Sequence, residues 1–401
     1  MLLGQSMSVY SYETKEMNIL YLGLNIGPHI GGVERTSCIT GTYLKKHGNN
    51  VYYGYRYKDE SSLPESEKLH YSFNTSQEDF NACLADFIRG KSIDVVICQG
   101  VWSHLLRRFI RRYRHVLGFK VIYCLHLAPN DYVHTCHGAK YRLKNFVCRT
   151  VTGIDIVPFG QRRIYNLCDR YVLLSPTHVE ETQRLCRLSD TSKISVIPNP
   201  LSFATVVGAH EKKEKEVLMV CRLTRQKNVE AALRIWQIIE KQNRTDWNLV
   251  IVGNGEEEQS LKCYAESLQL HSVIFKGKQC DVESFYRRAS IFIMTSIYEG
   301  FGITLIEAQQ SGCVPVVFDT FSALHDIISD GTDGCIIDFS DEQAFARRVI
   351  QLMDNEDERM AMATAARQSS QRFSVERVCR QWNDLLETLV KTNSGTDCDK
   401  Q

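Results

Sequence analysis

The chain has 401 residues, 43% hydrophobic and 24% charged, with a formal net charge of +1. These fractions suit a soluble globular protein of two or three domains and exclude disordered, collagen-like and coiled-coil chains. No run approaches the roughly 18 apolar residues of a membrane span.

In chain order, MLLGQSMSVYSYETKEM has no basic n-region ahead of an apolar core, so it reads as a short disordered leader rather than a secretory signal, with Met17 an alternative start. Asn18 to Leu24 is a short apolar run ending in Gly27, Gly31 and Gly32, followed by a helical stretch from Val33 to His47. Buried-strand candidates then fall at Val51–Tyr55, Ile93–Cys98, Val121–Leu125, Tyr171–Leu174 and Ile194–Ile197. Pro198, Asn199 and Pro200 break this pattern, and the charge run Glu211–Glu216 is expected to be a solvated inter-domain linker. The second half repeats the rhythm. Its strands are expected at Val217–Cys221, Asn248–Val252, Val273–Lys276, Ile291–Thr295, Val314–Phe318 and Gly334–Ile337. Helices are expected at Asn228–Gln242 and Gly255–Leu268, with a late one at Ser374–Lys391. Strands alternating with helices imply parallel sheets. The expected fold class is α/β, two doubly wound Rossmann-like domains facing a central cleft, with ligands beyond the strand C-termini.

Charge and cysteine usage narrow the partners. Residues 1–200 hold 25 basic against 17 acidic side chains, a net +8, and the remainder nets −7. The halves are therefore expected to meet different partners, or one half to lie near an anionic surface. The 15 cysteines are scattered, without a C-x-x-C pair or zinc spacing. Reduced, mostly buried thiols in a cytosolic protein are expected, and no metal or cofactor.

The strongest local signal runs from Ser296 through Glu299, Gly302, Ile303, Thr304 and Glu307 to Gly312. A strand ends, a glycine turn follows, and a helix begins near Ile303, whose free N–H groups favour a phosphate. Glu299 and Glu307 stand eight residues apart, on the order of 10–12 Å along a helix. Glycosidase acid/base pairs stand about 5–9.5 Å apart. Two carboxylates gripping different parts of one long ligand fit better; a helix-end glutamate plus a surface glutamate is the plainer alternative. A second signal is Arg222 and Lys227 off a strand end, two cations suited to a diphosphate leaving group, or simply a solvated basic turn. Gly31 and Gly32 permit close approach to an anion. Neither G-x-G-x-x-G nor G-x-x-x-x-G-K-[ST] is present, which weighs against NAD enzymes, kinases and NTPases.

Taken together, the Gly31-Gly32 loop, Arg222 with Lys227, Glu299 with Glu307, His126 after its strand and the phrase Ile-Pro-Asn199-Pro resemble retaining GT-B glycosyltransferases of family 4, the glycosyl transferases group 1. The resemblance spans roughly Asn18 to Lys391. It implies an acceptor-side domain at 17–205, a donor-binding domain at 214–373, and a C-terminal helix 374–391 returning to the first domain. It further implies that Arg222 and Lys227 grip the diphosphate of a UDP- or GDP-sugar. Glu307 would hold the ribose and Glu299 the donor sugar. Amides at Gly302, Ile303 and Thr304 would cradle phosphate, and the base would lie near Gly277 and Lys278. His126 would contact the sugar from the opposite domain, and Gly31 and Gly32 would close on the phosphate. The family pattern departs at Cys221, where glycine is usual, and after His126, where Leu-Ala-Pro-Asn130 lacks the usual acidic or amide residue.

The implied reaction is metal-free transfer of a sugar, with retention, to a glycan or lipid-linked glycan in surface-polysaccharide or lipopolysaccharide assembly. A sugar-nucleotide epimerase and a non-catalytic nucleotide-sugar binder are the alternatives. Within Ser103–Arg114, Leu105, Leu106, Phe109, Ile110 and Tyr113 form one face, and Arg107, Arg108, Arg111, Arg112 and Arg114 the other. Lys140, Arg142, Lys144, Arg149, Arg162 and Arg163 add charge nearby. Docking of 103–114 on the inner face of the cell membrane and an ordinary surface helix both fit. No nucleic-acid module accompanies the charge.

Overall fold

The computed structural model describes residues 16–27, 31–129, 156–203, 213–242 and 246–391. The leader through residue 15, Asn130, Lys140, Arg142, Lys144, Arg149, and the start of the charge run at Glu211 and Lys212 lie outside the described residues.

Seven parallel strands make the first sheet: β1 (Asn18–Leu22), β2 (Asn50–Tyr55), β3 (Lys68–His70), β4 (Val95–Gln99), β5 (Lys120–Cys124), β6 (Arg170–Leu173) and β7 (Ile194–Val196), in spatial order β3-β2-β1-β4-β5-β6-β7. Six more make the second: β8 (Glu214–Val220), β9 (Asn248–Val252), β10 (Val273–Gly277), β11 (Ala289–Met294), β12 (Val314–Phe318) and β13 (Cys335–Ile337), in order β10-β9-β8-β11-β12-β13. Each sheet reverses its winding once, between β1 and β4 and between β8 and β11. At such switch points the loops diverge and leave a crevice. The expected pair of doubly wound α/β domains is what the chain forms.

The central strands are legible because helices cover both faces, so β11 (ASIFIM) is buried at every position. β3 was not expected. It is a three-residue edge strand with one apolar side chain, Leu69, between Lys68 and His70, and such polar edges carry little pattern. The charge run is a correction. Glu214, Lys215 and Glu216 open β8 instead of forming a solvated linker. Glu216 Oε2 accepts from Arg288 Nε at 2.9 Å, and Lys213 Nζ donates to the Ser311 carbonyl at 2.7 Å. Paired charges can therefore occupy a strand end that their composition alone would assign to solvent.

The helix Val375–Lys391 places Val378, Trp382, Leu386 and Leu389 in one core cluster with Ile19, Leu44 and Ile97 of the first sheet's surroundings. Burying each such side chain is worth about 1.5–3 kcal/mol, enough to hold the C-terminal end on the first domain. In the helix His104–Leu117, Leu105, Leu106, Phe109 and Ile110 are buried inward. The apolar stripe thus serves the core, while Arg108, Arg111 and Arg112 face solvent. Arg114 is taken up by Asp169 Oδ1 at 3.1 Å. Among the described residues no helix is long and apolar enough to cross a membrane.

A polar joint links the domains away from the switch points. Asp326 Oδ2, from the helix Leu324–Ile327, accepts from Thr177 Oγ1 at 2.6 Å, from Thr177 N–H at 3.2 Å and from Ser175 Oγ, capping the helix Thr177–Cys186. Beside it His178 is fully buried, and neither ring nitrogen has a hydrogen-bond partner among the described residues. Burial pushes its pKa from 6.5 down to about 4. The unfolded chain therefore binds this proton first, and the folded state's advantage, complete above pH 6.5, is lost as pH falls towards 4. The shift is worth about 3 kcal/mol. His178→Leu should flatten the fall in thermal midpoint between pH 7 and pH 4.5; an unchanged acid limb in calorimetry would contradict the assignment.

Candidate active site

The first domain brings its switch-point loops to the cleft through β1, β4 and β5. After β5, His126 Nε2 bonds Gln99 Oε1 at the end of β4. With the amide oxygen as acceptor, Nε2 carries the proton and Nδ1 keeps its lone pair. Nδ1 is buried and has no partner among the described residues. Burial lowers the His126 pKa to about 4, so at neutral pH the ring is an uncharged hydrogen-bond acceptor. Gln99 was not anticipated from the sequence; an amide closing an otherwise apolar strand at the switch point was its one signal.

In the second domain two loops are stitched side by side. Gln226 Nε2 donates to the Tyr298 carbonyl at 2.9 Å, and Ile297 N–H donates to the Gln226 carbonyl at 2.8 Å. Thr295 Oγ1 donates to the Asn228 carbonyl at 2.9 Å. This stitching brings Lys227 Nζ onto Glu299 Oε1 as an ion pair, with 16% and 10% of the two side chains exposed. Ser296 Oγ donates to the same carboxylate oxygen at 2.7 Å. Arg222 is exposed at the end of β8. Next to it the Cys221 thiol is pushed up to about 12 by burial, which keeps it protonated and uncharged.

The helix Ile303–Gln310 starts at Gly302, whose φ of 80° is a left-handed conformation that a side chain disfavours. No side chain caps this end, so the first-turn amides at Ile303 and Thr304 are open to an anion. Glu307, inside the helix, is 1% exposed. Its Oε1 accepts from Arg35 Nη1 at 2.9 Å and its Oε2 from Tyr286 Oη at 3.0 Å. Burial raises its pKa, against the opposing Arg35 charge. Arg35 and Tyr286 were not anticipated either; Arg35 lies one helical turn past Gly32, on the side facing the cleft.

The two domains meet at these loops. A methyl group on Gly300 would lie 1.9 Å from the His126 carbonyl oxygen, and one on Gly32 would lie 2.9 Å from Ile303 Cδ1. Of the expected site residues, the fold therefore gathers Gly31, Gly32, His126, Lys227, Glu299, Gly302, Ile303, Thr304 and Glu307 along one seam, with Arg222 at the adjoining strand end. Gly277 and Lys278 stand farther along, at the end of β10, two strands from β8. Glu299 and Glu307 face different partners, Lys227 and Ser296 for the first and Arg35 and Tyr286 for the second. A seam of cations, open amides and two separate carboxylates can hold an anionic diphosphate between polyhydroxylated ends.

Residues 205–369 match the family model described as Glycosyl transferases group 1. The chain is 34% identical over 257 residues to the amylovoran biosynthesis glycosyltransferase AmsD of Erwinia amylovora, covering 61% of this chain and 71% of that protein. It is 25% identical over 230 residues, 57% of this chain and 62% of the relative, to the Campylobacter jejuni enzyme named GalNAc-alpha-(1->4)-GalNAc-alpha-(1->3)-diNAcBac-PP-undecaprenol alpha-1,4-N-acetyl-D-galactosaminyltransferase. Its fold is similar to that of the pneumococcal O-GlcNAc transferase GtfA, crystallised with UDP and GlcNAc, at a TM-score of 0.74 and 14% identity over 94% of this chain and 99% of the other.

Proposed function

The chain belongs to the glycosyl transferases group 1 family and is a GT-B glycosyltransferase, and on that premise we propose that it transfers a hexosyl unit from a UDP- or GDP-sugar, with retention of anomeric configuration. The acceptor is a hydroxyl of a glycan or lipid-linked glycan in surface-polysaccharide or lipopolysaccharide assembly, on the cytoplasmic side of the cell. The amylovoran and undecaprenol-linked glycan activities named for the Erwinia and Campylobacter relatives support that setting. The observation that carries the reading is the Lys227–Glu299 pair at the second switch point, with His126 brought against its loop from the other domain.

Residues 214–373 form the donor half and 17–205 the acceptor half. Arg222 and Lys227 neutralise the diphosphate, helped by the amides of Gly302, Ile303 and Thr304. Glu299 accepts from the donor sugar's hydroxyls and Glu307 from the ribose, while the base lies towards Gly277 and Lys278. His126 offers its Nδ1 lone pair to a sugar hydroxyl, and Gly31 and Gly32 close over the phosphate. In the reaction the anomeric carbon–diphosphate bond breaks and the acceptor oxygen bonds to that carbon on the same face. The acceptor's proton passes to the departing diphosphate. The protein lowers the barrier by orienting the two sugars and stabilising charge on the leaving group.

The test is a panel of UDP- and GDP-sugars with and without polyprenyl-diphosphate-linked acceptors, read by mass spectrometry and NMR. Acceptor-dependent release of nucleoside diphosphate and a linkage of the donor's own configuration are expected. An inverted linkage would end the retaining assignment, and epimerised donor without acceptor would favour the epimerase. Membrane contact through 103–114 rests on the solvent-facing arginines alone, since the apolar stripe is already buried. Anionic vesicles added to the same mixtures should sediment the protein at low salt, and no sedimentation would remove that contact.

A further inference from the structure

We propose that Arg35, carried by the first domain, is a positioning residue for the nucleotide, holding the Glu307 carboxylate in place for the ribose hydroxyls so that donor binding depends on the approach of the two domains. The inference rests on Glu307 as the ribose-binding group.

Arg35 lies in the first turn of the helix Gly32–Lys46, and its guanidinium crosses the seam to a carboxylate on the helix Ile303–Gln310. The arginine side chain keeps 29% of its surface exposed, whereas Glu307 keeps 1%. The ionised acid is thus the buried member, and the opposite charge that compensates it comes from the other domain. Arg35 fixes Oε1 and Tyr286 fixes Oε2, which sets the plane of the carboxylate, and the Ser202 side chain adds a third hydrogen bond to it. A carboxylate offers about four acceptor sites, so these three bonds leave it capacity for a ribose hydroxyl. Tyr286 belongs to the same domain as Glu307 and stays with it; Arg35 leaves whenever the domains part. The adjoining approach of Gly32 to Ile303 shows that this contact belongs to the seam itself.

Without Arg35, the buried acid loses the positive charge that opposes the effect of burial. It then takes up a proton at higher pH and gives up acceptor capacity that a vicinal diol needs. Ribose binding requires the ionised form, so affinity falls as pH drops through the Glu307 pKa, and removing Arg35 moves that fall upward in pH.

The experiment is calorimetric titration of the full chain with UDP and GDP from pH 5.5 to 8.5, alongside steady-state kinetics. Arg35→Met should weaken nucleotide binding about tenfold or more at pH 6, the loss of one charge-assisted contact, and recover part of it towards pH 8.5. Donor KM should rise while kcat at saturating donor stays near wild type. Arg35→Lys should restore binding to within about threefold, because it keeps the charge but not the fork. Should Arg35→Met fail to fold, Arg35→Gln, neutral but still a donor, should show the same upward pH shift. Neutral variants that bind as tightly as wild type, or more tightly, across the pH range would overturn the proposal. Glu307→Gln separates the two layers. If it leaves nucleotide binding unchanged, the ribose reading itself fails. If it weakens binding while the Arg35 variants do not, only the role of Arg35 fails.

Discussion

Lys227→Met is expected to lower kcat about 10²–10³-fold, the usual cost of removing one charge-stabilising donor from a developing anion. The ammonium is held on Glu299 in a pair that is 16% and 10% exposed, so it stands ready before any donor arrives and loses little on reorganising. Charge on the diphosphate grows as the anomeric bond breaks, and an interaction that strengthens along that path lowers kcat and kcat/KM together when removed. Methionine retains the unbranched stem, which confines the change to the charge. Glu299 keeps the Ser296 hydroxyl at 2.7 Å and so is not stranded, which limits the drop in thermal stability. Glu299→Gln should be milder, and the double variant less than additive, because the two side chains act as one unit. Steady-state rates with saturating donor and acceptor provide the measurement; wild-type turnover by Lys227→Met would remove the diphosphate assignment.

The parts of this site that were legible in the sequence share one physical cause. A fully buried parallel strand is a continuous apolar run, and a loop that must leave it sharply carries glycine, so β11 and the turn at Gly302 could be located to within one or two residues. Lys227 and Glu299 could be picked out as charged residues in loops leaving buried strand ends, where a solvated turn or a helix-end glutamate was the plainer alternative until the two were seen to pair. What stayed hidden was pairing across distance. Nothing local to Arg35 marks it as the partner of Glu307, 272 positions away, and Gln99 becomes meaningful only once His126 is seen to bond it. Burial and partner also decide the run Glu214–Glu216. As letters it is a linker; as residues flanked by Arg288 it is the first turn of pleat in a central strand. The short edge strand β3 escaped for the opposite reason, having too little buried surface to leave a pattern at all.

Gly300→Ala should be the second large effect, and it isolates the seam between the domains from the chemistry. The alanine methyl would sit 1.9 Å from the His126 carbonyl oxygen, 2.9 Å from its carbon and 3.2 Å from Leu127 Cα. All three are backbone atoms, so no side-chain rotation relieves the overlap. Gly300 is not among the residues with positive φ, which makes alanine acceptable to the loop's own conformation and leaves the inter-domain contact as the cost. The two loops must then part by roughly an ångström, and a misplacement of that size between reacting groups costs on the order of 10²-fold in rate. Each domain keeps its own core, so the thermal midpoint should stay within a few degrees of wild type, while solution scattering in the presence of UDP should report a larger radius of gyration. A variant that turns over normally would mean that the His126 loop and the Glu299 loop do not need to touch during transfer. A variant that is slow but equally compact would place the damage within the second domain's loop instead of between the domains.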